Sequence, residues 1–252
     1  MTNVVVKVEH LTKRFGTYVA VDDISFEARE GEVFGILGSN GAGKTTTMKM
    51  ICGLLAPSSG RILFRGRDVM THKRYVKGRM GFLPETPNLY ESITGYEFLD
   101  LMGTLRGIGK EELEGRIAHL AEVMELKEQI NDQLGTYSKG MRQKIAFAAA
   151  TIHDPKVLVL DEPTSGLDPR FGRYFKTWIR QNATRGRCVI MSTHFTLIAE
   201  EICDRVAVMN KSRIIGTGTI AELKEAHGVD SLEKAFMAIV GGRKWDQVPS
   251  LR

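Results

Sequence analysis

Eight consecutive residues, Gly38-Ser39-Asn40-Gly41-Ala42-Gly43-Lys44-Thr45, follow the pattern G-x-x-x-x-G-K-[ST]. Glycines at that spacing let backbone N–H groups converge on phosphate oxygens, while the lysine reaches the β and γ phosphates and the hydroxyl after it suits Mg²⁺. The flanks agree. Val33 to Leu37 reads as a strand and Thr45 to Cys52 as a helix, whose positive end would face the anion. A helix terminus supplies only about 0.3 to 1 kcal/mol, so Lys44 and the amide cradle must carry most of the affinity. A second element is the apolar run Val157 to Leu160, which delivers Asp161 and Glu162 to a strand end, where ligands of parallel sheets gather. Neighbouring side chains on a strand diverge. Asp161 is thus suited to the Mg²⁺ shell and Glu162 to polarising a water in line with the γ phosphate. ATP and Mg²⁺ are the partners this chemistry implies.

These groups need a scaffold, and the remaining sequence predicts one. Val4 to Val8, Val19 to Phe26 and Arg61 to Phe64, the last after the turn Pro57-Ser58-Ser59-Gly60, read as strands. From Thr94 to Asp154 the spacing becomes helical, through Phe98, Leu101 and Leu105, then Leu113, Ile117, Leu120 and Met124. Thr94 with Glu97 forms a capping box at its start, and Pro155 closes it. Strands return at Val157 to Leu160, Cys188 to Ser192 and Val206 to Met209, separated by helices over Pro169 to Gln181 and Thr196 to Cys203. That alternation predicts an α/β fold with a mainly parallel sheet. A second capping box, Thr219 with Glu222, precedes an amphipathic set of Leu232, Phe236 and Ile239. Residues 241–252 have no period and are expected to fray.

Composition bounds the class. The 252 residues, 42% hydrophobic and 26% charged, are those of a globular protein. The longest apolar-leaning run, Ile145 to Ile152, is far short of the roughly 18 residues of a membrane span. Neither a transmembrane segment nor a secretory leader is expected, and a cytosolic location follows. Cys52, Cys188 and Cys203 lack C-x-x-C spacing and read as small buried thiols. Seven lysines and arginines between Arg61 and Arg79 face the single acid Asp68. Such a segment is either a solvated face or a contact for anionic headgroups or an acidic partner loop. No recognition-helix pattern accompanies it, so it does not predict nucleic acid.

Further motifs give the chain a family resemblance. Tyr137-Ser138-Lys139-Gly140-Met141-Arg142-Gln143 resembles the signature sequence of the ATPase subunits of ABC transporters. Asp161-Glu162-Pro163-Thr164 follows, then Ser165-Gly166-Leu167-Asp168, similar to the family's D-loop, and Ser192-Thr193-His194, similar to its switch histidine. The resemblance spans Phe15 to His194. It implies a P-loop NTPase core over 1–87 and 156–218 with an N-terminal antiparallel β subdomain, an inserted helical subdomain over 88–155 and a C-terminal helical tail over 219–252. It implies Phe15 stacked on adenine, the loop residues Gly38 to Thr45 with Thr46 around the phosphates, and His194 on the γ phosphate. Ser138, Gly140 and Asp168 are assigned to the nucleotide held by a second ATP-binding subunit, and Thr45, Asp161 and Glu85 to the metal. Ser138 and Asp168 also have a plain explanation as helix caps, Asp168 with Pro169 after it. Two residues depart from the pattern, Glu85 in place of glutamine and Lys139 in place of glycine. These variants resemble the exporter branch, in which the ATPase pairs with separate integral membrane permease subunits and sits on the cytoplasmic face of the membrane. A soluble ABC ATPase acting on ribosomes or DNA is disfavoured by the single phosphate loop, and a non-hydrolysing regulator by Lys44, Asp161, Glu162 and His194 together.

Overall fold

A computed structural model describes residues 3–241; the expected fraying beyond Gly241 lies outside the described residues. In chain order the elements are β1 (Val4–Phe15), β2 (Tyr18–Arg29), β3 (Val33–Leu37), α1 (Lys44–Ile51), β4 (Ser59–Phe64), β5 (Arg67–Asp68), α2 (Lys73–Lys77) and β6 (Met80–Leu83). There follow α3 (Gly95–Thr104), α4 (Lys110–Val123), α5 (Lys139–Thr151), β7 (Val157–Asp161), α6 (Pro169–Thr184), β8 (Cys188–Thr193), α7 (Thr196–Ile202), β9 (Arg205–Asn210), β10 (Arg213–Thr219), α8 (Ile220–Ala226) and α9 (Leu232–Val240). An antiparallel sheet has the order β2-β1-β4-β5, and a second sheet the order β10-β9-β3-β8-β7-β6. In the second sheet β9 through β6 run parallel, and β10 joins the β9 edge antiparallel.

Every residue of β3, β7 and β8 is buried, as expected of parallel strands covered on both faces. Alternate side chains enter two different cores. Val33, Leu37, Leu158, Leu160, Val189 and Met191 pack with the helices α3 to α7. Phe34, Ile36, Val157, Val159, Cys188 and Ile190 pack with α1 and the antiparallel sheet. The central sheet is thus the shared wall of both halves. All three cysteines are buried free thiols whose pKa is pushed up by burial.

Two local patterns differ from the sequence reading. The first strand does not stop at Val8: His10 and Asp23, both at φ 48, absorb a register shift and let β1 and β2 continue to the turn pair Phe15 and Tyr18. On α3 the buried face is Phe98 and Leu99 with Met102 packed beside them, while Leu101 and Leu105 are 40% and 72% exposed. The cause is Gly103. Its α-carbon lies so close to Leu113 that an added Cβ would sit 2.2 Å from that side chain, which fixes the face α3 turns to α4. Both capping boxes form as their sequences suggest, at Thr94 and Thr219.

The helical insert leaves the sheet after β6 and returns at β7, and a polar junction pins it near both points. Arg106 donates to the carbonyl of Lys77 and lies 3.1 Å from His153 Nε2, which is 3.0 Å from the carbonyl oxygen of Met80. Burial first, and then the Arg106 charge, pushes the His153 pKa down to about 4, with Met80 and Asp154 only partly opposing. The unfolded chain, with an ordinary histidine pKa of about 6.5, binds more protons than the folded one between those values, so stability falls as pH falls through that window. The urea midpoint should therefore drop between pH 7 and pH 4.5, and His153→Gln should flatten part of that drop. Equal slopes for both proteins would show that His153 does not titrate in this way.

Candidate functional site

The loop after β3 is held by its neighbours as well as by its own glycines. A Cβ on Gly38 would lie 2.2 Å from the carbonyl oxygen of Met209, and one on Gly43, at φ 106, would lie 2.4 Å from that of Ala20. Both positions therefore require glycine, and Gly43 leads directly into α1 at Lys44. The first-turn N–H groups of α1 have no carbonyl within the helix to bond, which leaves them for an anion. Lys44 is 6% exposed, and its ammonium donates to the carbonyls of Gly38 at 2.8 Å and Ser39 at 3.2 Å.

The acids arrive from the adjoining strands. Register pairs Leu37 with Thr193 and Asp161 with Ser192, so β3, β8 and β7 end side by side. Glu162 turns off the strand at φ 45, and its Oε1 lies 3.3 Å from Lys44 Nζ and 2.9 Å from His194 Nδ1. Neither contact has hydrogen-bond alignment, so this buried oxygen has the Lys44 ammonium and an imidazole beside it but no donor. An oxygen without a donor keeps its lone pairs free to accept a proton. Asp161 Oδ1 accepts from Ser192 Oγ at 2.5 Å, whereas its Oδ2 is buried without a partner.

An orphaned carboxylate oxygen inside a protein costs more than the about 1–3 kcal/mol of a neutral group, unless a cation faces it. The residues therefore fit Mg²⁺, with Asp161 Oδ2 and the Thr45 hydroxyl as hard oxygen ligands. Among the described residues no three His, Cys, Asp or Glu side chains cluster into a metal cage. Mg²⁺ commonly keeps waters and takes substrate phosphates as ligands beside one or two protein oxygens.

A cleft of about 320 Å³ opens over the loop, lined among others by Phe15, Tyr18, Asn40, Lys44, Thr45 and Glu85. Gly41, Gly43, Thr46 and Glu162 line it as well. Phe15 is 49% exposed at the β1–β2 turn, with the Lys13 ammonium 5.0 Å from its ring centre. Tyr18 escaped the sequence reading, although as the strand partner of Phe15 it shares the same wall.

Ser138, Gly140 and Asp168 do not line this cleft. Ser138 caps α5 by accepting from the N–H of Met141 at 3.3 Å, and Asp168 caps α6 by accepting from that of Phe171 at 2.8 Å. The Phe171 bond also holds the Asp168 carboxyl below its usual pKa. Lys139 lies along its own chain's Gly166, where an added Cβ would meet Lys139 Cε at 2.8 Å.

The model of the ABC transporter family matches residues 21–165, more than half of the chain. The chain is 37% identical over 225 residues to the Nod factor export ATP-binding protein I of Burkholderia lata, covering 89% of this chain and 74% of that protein. It is 34% identical over 248 residues to the probable multidrug ABC transporter ATP-binding protein YbhF of Escherichia coli, covering 96% of this chain but only 42% of that longer protein. A solved structure of the ATP-binding subunit of an ABC transporter superposes with a TM-score of 0.87 at 29% identity, over 93% of this chain and 99% of that one.

Lys44→Ala removes the one buried cation of the loop. Nucleotide affinity should fall by at least about 30-fold, the equivalent of about 2 kcal/mol for a charged hydrogen bond. Equilibrium binding of a fluorescent ATP analogue measures this directly, and near-normal affinity would remove Lys44 from the site.

Proposed function

The chain belongs to the ATP-binding proteins of ABC transporters, which are ATPases, and we propose that it is the Mg²⁺-dependent motor of an exporter whose membrane permease is a separate chain. One observation supports this reading best: Lys44, Asp161, Glu162 and His194 meet at the ends of three adjoining parallel strands, beside a cleft fit for a triphosphate. In this reading Lys44 and the amides of residues 38 to 46 bind the phosphates, and Phe15 stacks on the adenine. Thr45 and Asp161 would hold Mg²⁺, which would supply charge neutralisation on the phosphates. Glu162 takes the proton of the attacking water, and His194, held against Glu162, contacts the γ phosphate.

Ser138 and Gly140 sit outside the cleft at an exposed helix start, so they are free to close over the nucleotide of a second subunit. Asp168 would lie at the same junction. The working unit is then a head-to-tail pair, with this chain or a close relative as the partner. Among the described residues no helix is long and apolar enough to cross a membrane. We assign attachment to the cytoplasmic face to the permease, and export as the direction follows the resemblance and the name of the Burkholderia relative.

A second cavity, of about 360 Å³, gives that attachment a place. Leu54, Met80, Phe82, Pro87 and Phe98 line it, with Lys77 and Arg106 among its walls. Pro84 faces this groove while its neighbour Glu85 faces the ATP cleft, so one short stretch of chain touches both. A permease segment seated in the groove would move with the helical insert, residues 88–155, and bear on Glu85. The basic segment is less uniform than its sequence suggests: Arg61 pairs with Glu9, Arg65 with Glu30, and Arg67 and Arg79 each lie 4.2 Å from the Tyr75 ring centre. Of the three basic residues Lys73, Arg74 and Lys77 on α2, Lys77 reaches the groove.

Glu162→Gln should bind ATP yet hydrolyse it about 10²- to 10⁴-fold more slowly, the usual worth of a positioned base. It should also elute as an ATP-stabilised dimer on gel filtration. Hydrolysis at the normal rate would take the role of base away from Glu162. Glu85 is proposed as an additional oxygen ligand of the metal. In the reconstituted complex Glu85→Gln should then retain activity within about tenfold, while Glu85→Ala raises the Mg²⁺ requirement, as loss of a hard oxygen ligand would. An alanine variant with unchanged Mg²⁺ dependence would leave Glu85 as a solvated hinge residue.

A further inference from the structure

Ser192 is the penultimate residue of β8, fully buried and in register with Asp161. Its hydroxyl stands between the two acids. Oγ donates to Asp161 Oδ1 at 2.5 Å and accepts the backbone N–H of Glu162 at 3.0 Å. A hydroxyl has one proton to give and two lone pairs to receive, so both bonds can form at once. The neighbouring hydroxyl does something else: Thr193 Oγ1 accepts the N–H of Phe195 and shapes the loop that carries His194.

The two bonds have separate consequences. The first occupies one oxygen of Asp161, which fixes the plane of the carboxylate and leaves Oδ2 as its buried, unpartnered oxygen. The second ties down the amide of Glu162, a non-glycine residue held at φ 45, where side chains are rarely found. That turn carries the Glu162 carboxylate to Lys44 and His194. A slack amide would let the residue relax toward ordinary strand geometry, taking Oε1 away from both.

We propose that Ser192 is a positioning residue for ATP hydrolysis, aiming Asp161 Oδ2 at the metal through one hydrogen bond and holding Glu162 in its strained turn through the other. The proposal rests on the assignment of Asp161 to the metal and Glu162 to the water. A hydroxyl that only satisfied buried polar groups would, when removed, lower stability and nothing more. A positioning hydroxyl would in addition change how the protein responds to Mg²⁺.

The test uses the full chain with Ser192→Ala, Ser192→Thr and Asp161→Asn, together with Ser192→Cys, which keeps the volume should the alanine variant fail to fold. Melting temperature is measured first. Binding of a fluorescent ATP analogue is then measured in EDTA and across a Mg²⁺ titration, followed by kcat and KM. In EDTA, Ser192→Ala or Ser192→Cys should bind the analogue as the parent does. The Mg²⁺ concentration that half-restores tight binding should rise about 10-fold or more, the usual cost of losing a hydrogen bond that orients a metal ligand. The loss in turnover should appear in kcat rather than KM, and Ser192→Thr, which keeps the hydroxyl, should recover most of both. If Asp161→Asn shifts the Mg²⁺ response and the Ser192 variants lose only melting temperature, the positioning role is overturned while the site assignment survives. If Asp161→Asn also leaves the Mg²⁺ response unchanged, the assignment of Asp161 falls and the role of Ser192 falls with it.

Discussion

Three parallel strands that end level with one another determine where every reacting group can be. Because Leu37 pairs with Thr193 and Asp161 with Ser192, the phosphate loop, the two acids and His194 leave the sheet at one edge within a few residues of each other. The register is strongly specified, since alternate side chains of these strands belong to two different apolar cores. A slip of one residue would exchange the two sets and turn Asp161 toward the opposite face. Burial on both sides thus fixes the chemistry as firmly as it fixes the fold.

Within that frame the electrostatics constrain what can bind. Asp161 and Glu162 bring two carboxylates to a site where Lys44 is the one buried cation of the loop. With a neutral histidine this wall is net negative, and a triphosphate would add several charges of the same sign. Its entry is favourable only alongside a cation, and the unpartnered Asp161 Oδ2 marks where that cation is needed. Lys44 meanwhile donates to two loop carbonyls and lies 3.3 Å from the Glu162 carboxylate. A γ phosphate could take over that last contact, which would leave Glu162 to His194 and to water. Binding and the readying of the base are then one exchange of partners at one ammonium.

Much of this was legible in the sequence because its signals are local. The phosphate loop, both capping boxes and the strand that ends in Asp161 depend on residues next to one another, and each forms where the sequence places it. What stayed hidden depends on distant contacts. The four residues Met80–Leu83, one of them glycine, carry too short a pattern to announce an edge strand, and they become one through pairing with β7. The helical spacing of Phe98, Leu101 and Leu105 names a face that the close approach of Gly103 to Leu113 overrides. Tyr18 and Ser192 are ordinary residues for their strands, and only the partner across the turn or across the sheet gives them a place in the site. The basic run from Arg61 to Arg79 shows the opposite error, because strand pairing and stacking on Tyr75 engage cations that look free in sequence.

The same geometry bears on how hydrolysis could be felt at a distance. Pro84 and Glu85 follow β6, the strand that pairs with β7, so they sit one strand away from Asp161 and Glu162. Pro84 has a fixed φ and no N–H to give, and it lines the apolar groove, while Glu85 lines the cleft over the phosphate loop. A rigid residue beside a charged one, with a cavity on each side, could pass a change of charge at the phosphates to the groove wall. The junction of Arg106, His153 and Met80 anchors the helical insert to this same strand. A shift of β6 and its following loop would therefore be felt by α3 and α5, and α5 carries Ser138 at its start. Groove, insert and Ser138 are thus linked through contacts that start at β6.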